Sequence, residues 1–348
     1  MPTSLDLPLR PLRQPRDSTF TPGDWAALVR FWYPVAYVDE VPADQPITRT
    51  LLDEPLVIFR AGDEVVVGRD LCIHRGAPLS MGWVENGEIV CAYHGFRYNA
   101  RGQCTRVPAQ PDAAIPSKLC MQVFAAEIRY GLVWTCLSND PQVPIPDWPE
   151  ITRPGLHHLK LPPQDWKCSA PRQAENFNDV SHLSWLHLDT FGNAEATRVA
   201  PYEVTTTEHE ISFDCPYAFV ADRMQNNNNR TSEILYNYRL WFPFFTKLIL
   251  NFKDGKHYYL FDLPVPVSAR RTRVFMLMAQ DYELGDGADA LIEFQTKVLN
   301  EDRPVVESQR PEEIPLDLTE EFHIRADRFS THFRQALKRF GLGNHFAA

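Results

Sequence analysis

CIHRGAPLSMGWVENGEIVCAYHGF, residues 72–96, sets Cys72 and His74 two positions apart and, after an intervening sixteen residues, Cys91 and His94 three apart. Structural zinc sites usually draw their ligands as like pairs, two cysteines from one knuckle and two histidines from a helix. Here the pairs are mixed. Each of two loops can hand one thiolate to one metal ion and one imidazole to another, which is what a [2Fe–2S] cluster requires when histidines replace cysteines on one iron only. Neutral imidazoles remove negative charge from such a cluster and raise its potential, so it accepts an electron readily. Gly76, Pro78, Gly82 and Gly95 supply the tight backbone that would wrap it.

Outward from the motif, residues 45–137 read as short strands, PLVIFR, EVVVGR, GEIVCAY and MQVFAAEIRYGLVWTCL, separated by turns such as Ala61-Gly62-Asp63 and Glu85-Asn86-Gly87. SNDPQVPIPDWPEITRPG, with prolines at 141, 144, 146, 149 and 154, cannot run through a helix or central strand, which sets a boundary there. The expected organisation is a polar N-terminal arm (1–24), a small all-β domain (25–145) and a larger domain (146–348). In the last, strand-like runs over 202–282 are followed by two helical stretches, and Asn226–Asn229 form a loop tip. The class is α+β.

Composition narrows the setting. The 348 residues are 44% hydrophobic and 23% charged, an ordinary globular balance with room for two cores. A net charge of −10 disfavours nucleic acid and anionic membrane as partners. No secretory leader or membrane span is read, so the expected location is cytoplasmic. Cys104, Cys120, Cys136, Cys168 and Cys215 have no clustered spacing and read as free core thiols.

An electron carrier alone would end near residue 145, so the remaining two hundred residues need a task. ENFNDVSHLSWLHLD, residues 175–189, supplies two histidines among carboxylates, and non-haem Fe(II) that activates dioxygen is commonly held by two His and one carboxylate on one face. On a straight α-helix His182 and His187 would diverge by about 140°. A π-bulge or a helix end must therefore fall between them. Asp179, three residues before His182, would share its face.

CIHRGAPL and CAYHGF resemble the Rieske family. Respiratory Rieske proteins add two cysteines for a disulfide between the loops; Ala77 and Tyr93 stand at those positions, which resembles the oxygenase type. Asp179-x-x-His182-x-x-x-x-His187 is similar to the iron-binding pattern of Rieske non-haem iron oxygenases, whose third ligand lies far downstream; NEDRPVVESQRP matches that region and points to Asp302, with Glu301 as neighbouring competitor and Pro304 as a bend that would turn the carboxylate inward. The resemblance implies cluster ligands Cys72, His74, Cys91 and His94 and mononuclear iron ligands His182, His187 and Asp302. It further implies a closed trimer, or a dimer of trimers, in which Asp179 bridges His182 of one chain to His94 of the next. Phe96 departs from the Trp that many relatives carry.

The resemblance also implies a catalytic domain with an antiparallel sheet flanked by helices, helix-grip-like. Such an enzyme takes two electrons per dioxygen, one stored on the cluster and one on Fe(II). No dinucleotide or plant-type ferredoxin signature is present, so electrons come from a separate NAD(P)H-dependent reductase carrying a flavin and an iron–sulfur centre, or from a ferredoxin. EDRPVVESQ looks like the phthalate oxygenase and vanillate or methylxanthine demethylase branch, implying hydroxylation or O- or N-demethylation of an aromatic or heterocyclic molecule. A ring cis-dihydroxylating dioxygenase and a pure electron-transfer protein are the competing readings. The aromatic strands around 234–252 and 274–280 could line the pocket, with Asn237, Asn251 or His257 as polar handles, although core packing is the favoured role for most of these residues.

Overall fold

Alternating apolar residues and left-handed turns fold the first part of the chain into strands. Asn86 (φ 55°) and Gly87 (φ 75°) form a two-residue turn that joins β5 (Trp83–Glu85) to β6 (Glu88–Val90). With β7 (Arg97–Tyr98) and β8 (Cys104–Arg106) these make a four-stranded antiparallel sheet. A six-stranded sheet in the order β1-β10-β9-β4-β3-β2 uses β1 (Tyr33–Tyr37), β2 (Ile47–Leu51), β3 (Glu54–Ala61), β4 (Glu64–Arg69), β9 (Val123–Arg129) and β10 (Leu132–Cys136). Val57, Phe59, Leu79, Ile89, Phe96 and Tyr98 pack with Cys72 and Cys91 into one core, so the motif cysteines are part of what holds this unit together.

The computed structural model describes residues 12–138, 140–220, 231–285 and 287–343. The expected Asn226–Asn229 loop tip and the first eleven residues of the N-terminal arm lie outside them. The chain divides into two compact units between Pro144 and Ile145, within the proline-rich stretch.

The second unit is built on an antiparallel sheet in the order β11-β18-β17-β16-β15-β14-β13, with β12 also pairing with β18. Its strands are β11 (His157–Lys160), β12 (Gln164–Trp166), β13 (Val204–Thr206), β14 (Glu210–Val220), β15 (Thr231–Trp241), β16 (Phe245–Asn251), β17 (His257–Ser268) and β18 (Arg271–Gln280). Helices α2 (Ala170–Phe177), α4 (Ala288–Ser308) and α5 (Arg328–Arg339) accompany it, α1 (Pro22–Leu28) belonging to the first unit. A buried ion network joins α2 to α5: Arg334 donates to both oxygens of Glu175 at 2.8 and 2.9 Å, and Glu321 accepts from Arg172 and Arg334. Each charge is paired, as burial demands.

A helix end does fall between His182 and His187, at Leu186, and the segment is broken earlier as well. Residues 173–187 are not one distorted helix. Helix α2 ends at Phe177, and α3 is the four-residue turn Leu183–Leu186, flanked by His182 and His187. Asn178 ends α2 because its side chain turns back, Nδ2 donating to Ala174 O at 2.8 Å and to Thr246 Oγ1 at 2.8 Å. Pro304 does not interrupt α4. Among the described residues, no helix is long and apolar enough to cross a membrane, and all seven cysteines are free.

Candidate active site: two metal centres

The two motif loops fold alike. Cys72 O accepts from Gly76 N at 2.8 Å and Cys72 N donates to Ala77 O at 2.8 Å; Cys91 O accepts from Gly95 N at 2.9 Å and Cys91 N donates to Phe96 O at 2.8 Å. Gly76 and Gly95 sit at φ 74° and 68°, a conformation that glycine adopts at no steric cost. Equivalent turns deliver Cys72 with His74 and Cys91 with His94 to one place. The thiols are 2% and 1% exposed, and the imidazoles pack edge to face, 4.6 Å between centroids.

These residues fit a histidine-ligated cluster. His74 Nδ1 is buried and has no hydrogen-bond partner, as a nitrogen reserved for a metal would be. Phe96 stacks on the His74 ring at 4.5 Å, so the departure from Trp keeps an aromatic wall there. Tyr98, which sequence reading passed over, places its hydroxyl 3.2 Å from Cys72 Sγ. A phenol donating to a ligand thiolate withdraws charge from it, and hydrogen bonds to cluster sulfurs raise the potential. Tyr98→Phe is expected to lower the cluster midpoint by on the order of 50 mV, the equivalent of one ~1 kcal/mol hydrogen bond in a one-electron couple, read by redox titration of the visible spectrum. An unchanged midpoint would assign Tyr98 to packing alone.

In the second unit, His182 Nε2, His187 Nε2 and Asp302 Oδ1 form a triangle with all three edges 3.3 Å. Ligand bonds of ~2.1 Å at right angles place donor atoms about 3 Å apart, so the triangle has the dimensions that one face of an octahedral site would need. Unlike the cluster loops, these three side chains bring their donor atoms within 4.8 Å of one another, close enough to share a single metal ion. The Nδ1 atoms face away, each toward a carboxylate: Asp179 Oδ2 at 3.3 Å from His182 and Glu301 Oε2 at 2.8 Å from His187. Such carboxylate partners fix tautomer and ring angle with Nε2 left for the metal.

Asp179 reaches His182 by a route other than the expected helix face. It lies in the break after α2, where Oδ1 accepts from Ser181 N at 2.8 Å and Oδ2 from His182 N at 3.3 Å, a side-chain turn that leads into α3. Two contributors went unassigned in the sequence. Glu301, weighed there only as a rival ligand, orients His187 and also accepts from Thr190 Oγ1 at 2.7 Å. Asn176 directs Nδ2 toward Asp302 Oδ1 at 3.5 Å. Its position three before Asp179, in step with the three from Asp179 to His182, was the available signal.

The electrostatics are those of a cation site. Burial opposes a charge on His182, yet hydrogen bonds to Asp179 and Asp302 outweigh it and raise its pKa to about 10. Burial dominates at His187 and lowers its pKa, so that ring is neutral. In metal-free protein a proton on His182 therefore occupies the place of the cation at neutral pH. It stabilises the fold fully below pH 6.5, and that stability is lost as pH rises through about 10. Fe(II) must displace this proton, so its apparent affinity for metal-free protein is expected to rise about tenfold per pH unit across the neutral range, measured by anaerobic titration. A flat dependence would contradict the arrangement.

Beside the triangle lies a pocket of about 540 Å³, mouth included, walled by Phe177, Phe191, Leu248, Leu250, Leu260 and Leu299 and closed by Tyr236, Tyr238 and Gln295. The expected handles are corrected. Tyr238, Leu248 and Leu260 are in register across β15, β16 and β17, as are Tyr236, Leu250 and Tyr258; Asn237, Asn251 and His257 fall on alternate positions and line no part of the pocket. Asn251 donates to Asn237 at 2.6 Å, and His257 pairs with Asp281.

Residues 31–124 match the family described as Rieske [2Fe–2S] domain, and residues 166–341 match the Vanillate O-demethylase oxygenase C-terminal domain. The chain is 33% identical over 322 residues to Methylxanthine N1-demethylase NdmA of Pseudomonas putida, covering 89% of this chain and 88% of that protein. It is 29% identical to Methylxanthine N3-demethylase NdmB of the same organism, over 92% of this chain and 91% of NdmB. The solved structure of Pseudomonas putida CBB5 NdmA with caffeine superposes with a TM-score of 0.81 at 31% identity, covering 91% of this chain and 92% of that one.

Proposed function

Because the chain belongs to the Rieske non-haem iron oxygenases, with a Rieske domain followed by a vanillate-demethylase-type oxygenase domain, we propose that it is the terminal oxygenase of a demethylase acting on an uncharged N-methylated heteroaromatic compound. The observation that carries the choice of substrate is the pocket lining. It offers Gln295 and two tyrosines as polar groups near the ligand triangle and, among the described residues, no Lys or Arg. A carboxylated aromatic would bury its charge there without a counter-ion, at a cost of several kcal/mol.

Gln295 is the handle. It is 3% exposed, and Tyr258 Oη donates to its Oε1 at 3.4 Å, which leaves the Nε2 hydrogens for a ring carbonyl or ring nitrogen. It stands seven residues before Asp302 on α4, two turns and about 10 Å along the same face. A planar substrate held there by one end presents its other end, with the methyl group, to the metal triangle. The apolar walls exclude water from the reacting methyl.

The enzyme is an oxidoreductase that incorporates molecular oxygen, with electrons from a reductase or ferredoxin. When bound, the iron centres supply dioxygen activation and electron storage. The balance is N–CH3 + O2 + NAD(P)H + H+ → N–H + CH2O + NAD(P)+ + H2O. We assign the cluster to Cys72, His74, Cys91 and His94 and the mononuclear iron to His182, His187 and Asp302. Asp179 is the link by which His182 meets His94 of a second copy, in a trimer or dimer of trimers. Supporting this, Asp179 and His182 border a polar cleft also lined by Glu321, Phe322 and His323, and Trp185 and Phe322 nearby are 63% and 92% exposed.

The test is turnover with a reductase and NADH against methylxanthines and methoxylated benzoates. Formaldehyde is expected from the neutral N-methyl compounds, with kcat/KM at least about a hundredfold above the carboxylates. Gln295→Leu is expected to raise KM about tenfold with kcat little changed. Preference for the benzoates, or diol in place of formaldehyde, would overturn the reading.

A further inference from the structure

Asp262 is a buried acid outside the metal triangle. On the face of the sheet that forms the pocket, Tyr238, Leu248 and Leu260 make one row, and two residues along the strands Leu240, Thr246 and Asp262 make the next, about 7 Å away. Asp262 is 0% exposed, and among the described residues no guanidinium or ammonium group pairs with it. Gln173 Nε2, from α2, donates to Asp262 Oδ1 at 3.2 Å. The two atoms left over, Asp262 Oδ2 and Gln173 Oε1, are both buried, both acceptors, and both without a partner.

We infer that Asp262 carries a proton on Oδ2 and donates it to Gln173 Oε1, closing the second arm of a cyclic pair between a carboxylic acid and an amide. A single proton turns the pair from one donor facing three acceptors into two donors matched with two acceptors. Burial pushes the Asp262 carboxyl far above the carboxylate range, outweighing the hydrogen bond from Gln173 that favours the ionised form, and the nearby charge of Asp302 adds to the push.

The pair makes Asp262 a positioning residue. Helix α2 is fastened to the sheet at two points, by Gln173 to Asp262 on β17 and by Asn178 to Thr246 on β16. Between them Asn176 directs its amide toward Asp302. Neutrality matters as much as the bond, because an ionised Asp262 would add an unpaired buried negative charge that repels the charge of Asp302. The effect on catalysis rests on the oxygenase reading above; the protonation state does not.

The decisive readout is infrared spectroscopy of the wild-type protein against Asp262→Asn. A protonated carboxylic acid carbonyl band is expected in the wild type, absent in Asp262→Asn, and shifted in Gln173→Leu. Because Asn reproduces both arms of the ring, Asp262→Asn is expected to keep wild-type melting and coupling of formaldehyde to oxygen consumed, whereas Gln173→Leu lowers the coupling about fivefold, with peroxide released and the cluster spectrum unchanged. A carboxylate signal in place of the acid band, or a band unmoved by Gln173→Leu, would overturn the pairing even if the enzyme turned over normally. An acid band with coupling equal in all three proteins would overturn the positioning role.

Discussion

Asp302→Ala is expected to empty the mononuclear site and lower formaldehyde formation by at least about a thousandfold, with the visible spectrum of the cluster unchanged. Asp302 Oδ1 stands 3.3 Å from both Nε2 atoms and is the anion of the triangle. Without it two imidazoles face each other with no charge to hold a cation, and the Asn176 amide loses its acceptor. The cluster loops share no residue with this site and lie in the other compact unit. Iron per sulfide is the direct measure: a fall from three irons to two for every two sulfides is expected. Full iron content with normal turnover would remove Asp302 from the site and return Glu301 as the candidate.

Asp179→Asn tests the other half of the division of labour. Both metals are expected to remain, because the substituted side chain is nearly the same size and can still accept from Ser181 N. What is lost is the anion on His182 Nδ1: an amide nitrogen there would set donor against donor, and an amide oxygen would offer no charge. Burial raises the Asp179 carboxyl, but His182 more than offsets this and holds its pKa below the ordinary value, so Asp179 is ionised throughout the working range. Steady-state turnover is expected to fall about a hundredfold or more, while formaldehyde formation driven by hydrogen peroxide, which needs no electron from the cluster, stays near wild type. Equal loss in both assays would make Asp179 a structural support of the iron site rather than a link to the cluster.

How far the site could be read from the chain followed from how local each part is. The cluster loops were legible because ligand spacing and turn glycines sit within twenty-five residues. His182 and His187 were legible as a pair, and so was the need for a helix end between them, but not the earlier break after α2. The break at Asn178 depends on Thr246, 68 residues away, accepting from its side chain. Glu301 was seen beside Asp302 only as its rival, since its bond to His187 spans 114 residues and nothing in the local pattern marks a carboxylate placed to orient a histidine. The pocket handles failed for another reason. Alternation along β15, β16 and β17 separates two faces of the sheet, yet both carry aromatic and polar residues, and only the packing of α2 and α4 decides which face is the pocket.

The most direct test of the central claim is a single turnover without any reductase. The protein, reduced anaerobically and freed of reductant, is mixed with dioxygen and an N-methylated heteroaromatic substrate, while cluster oxidation is followed by absorbance and formaldehyde by quench. Cluster and mononuclear iron are expected to give up one electron each, so that one formaldehyde forms for each cluster oxidised, at matching rates. Cluster oxidation with no formaldehyde, or formaldehyde formed while the cluster stays reduced, would contradict an enzyme in which one centre stores the electron that the other uses on oxygen.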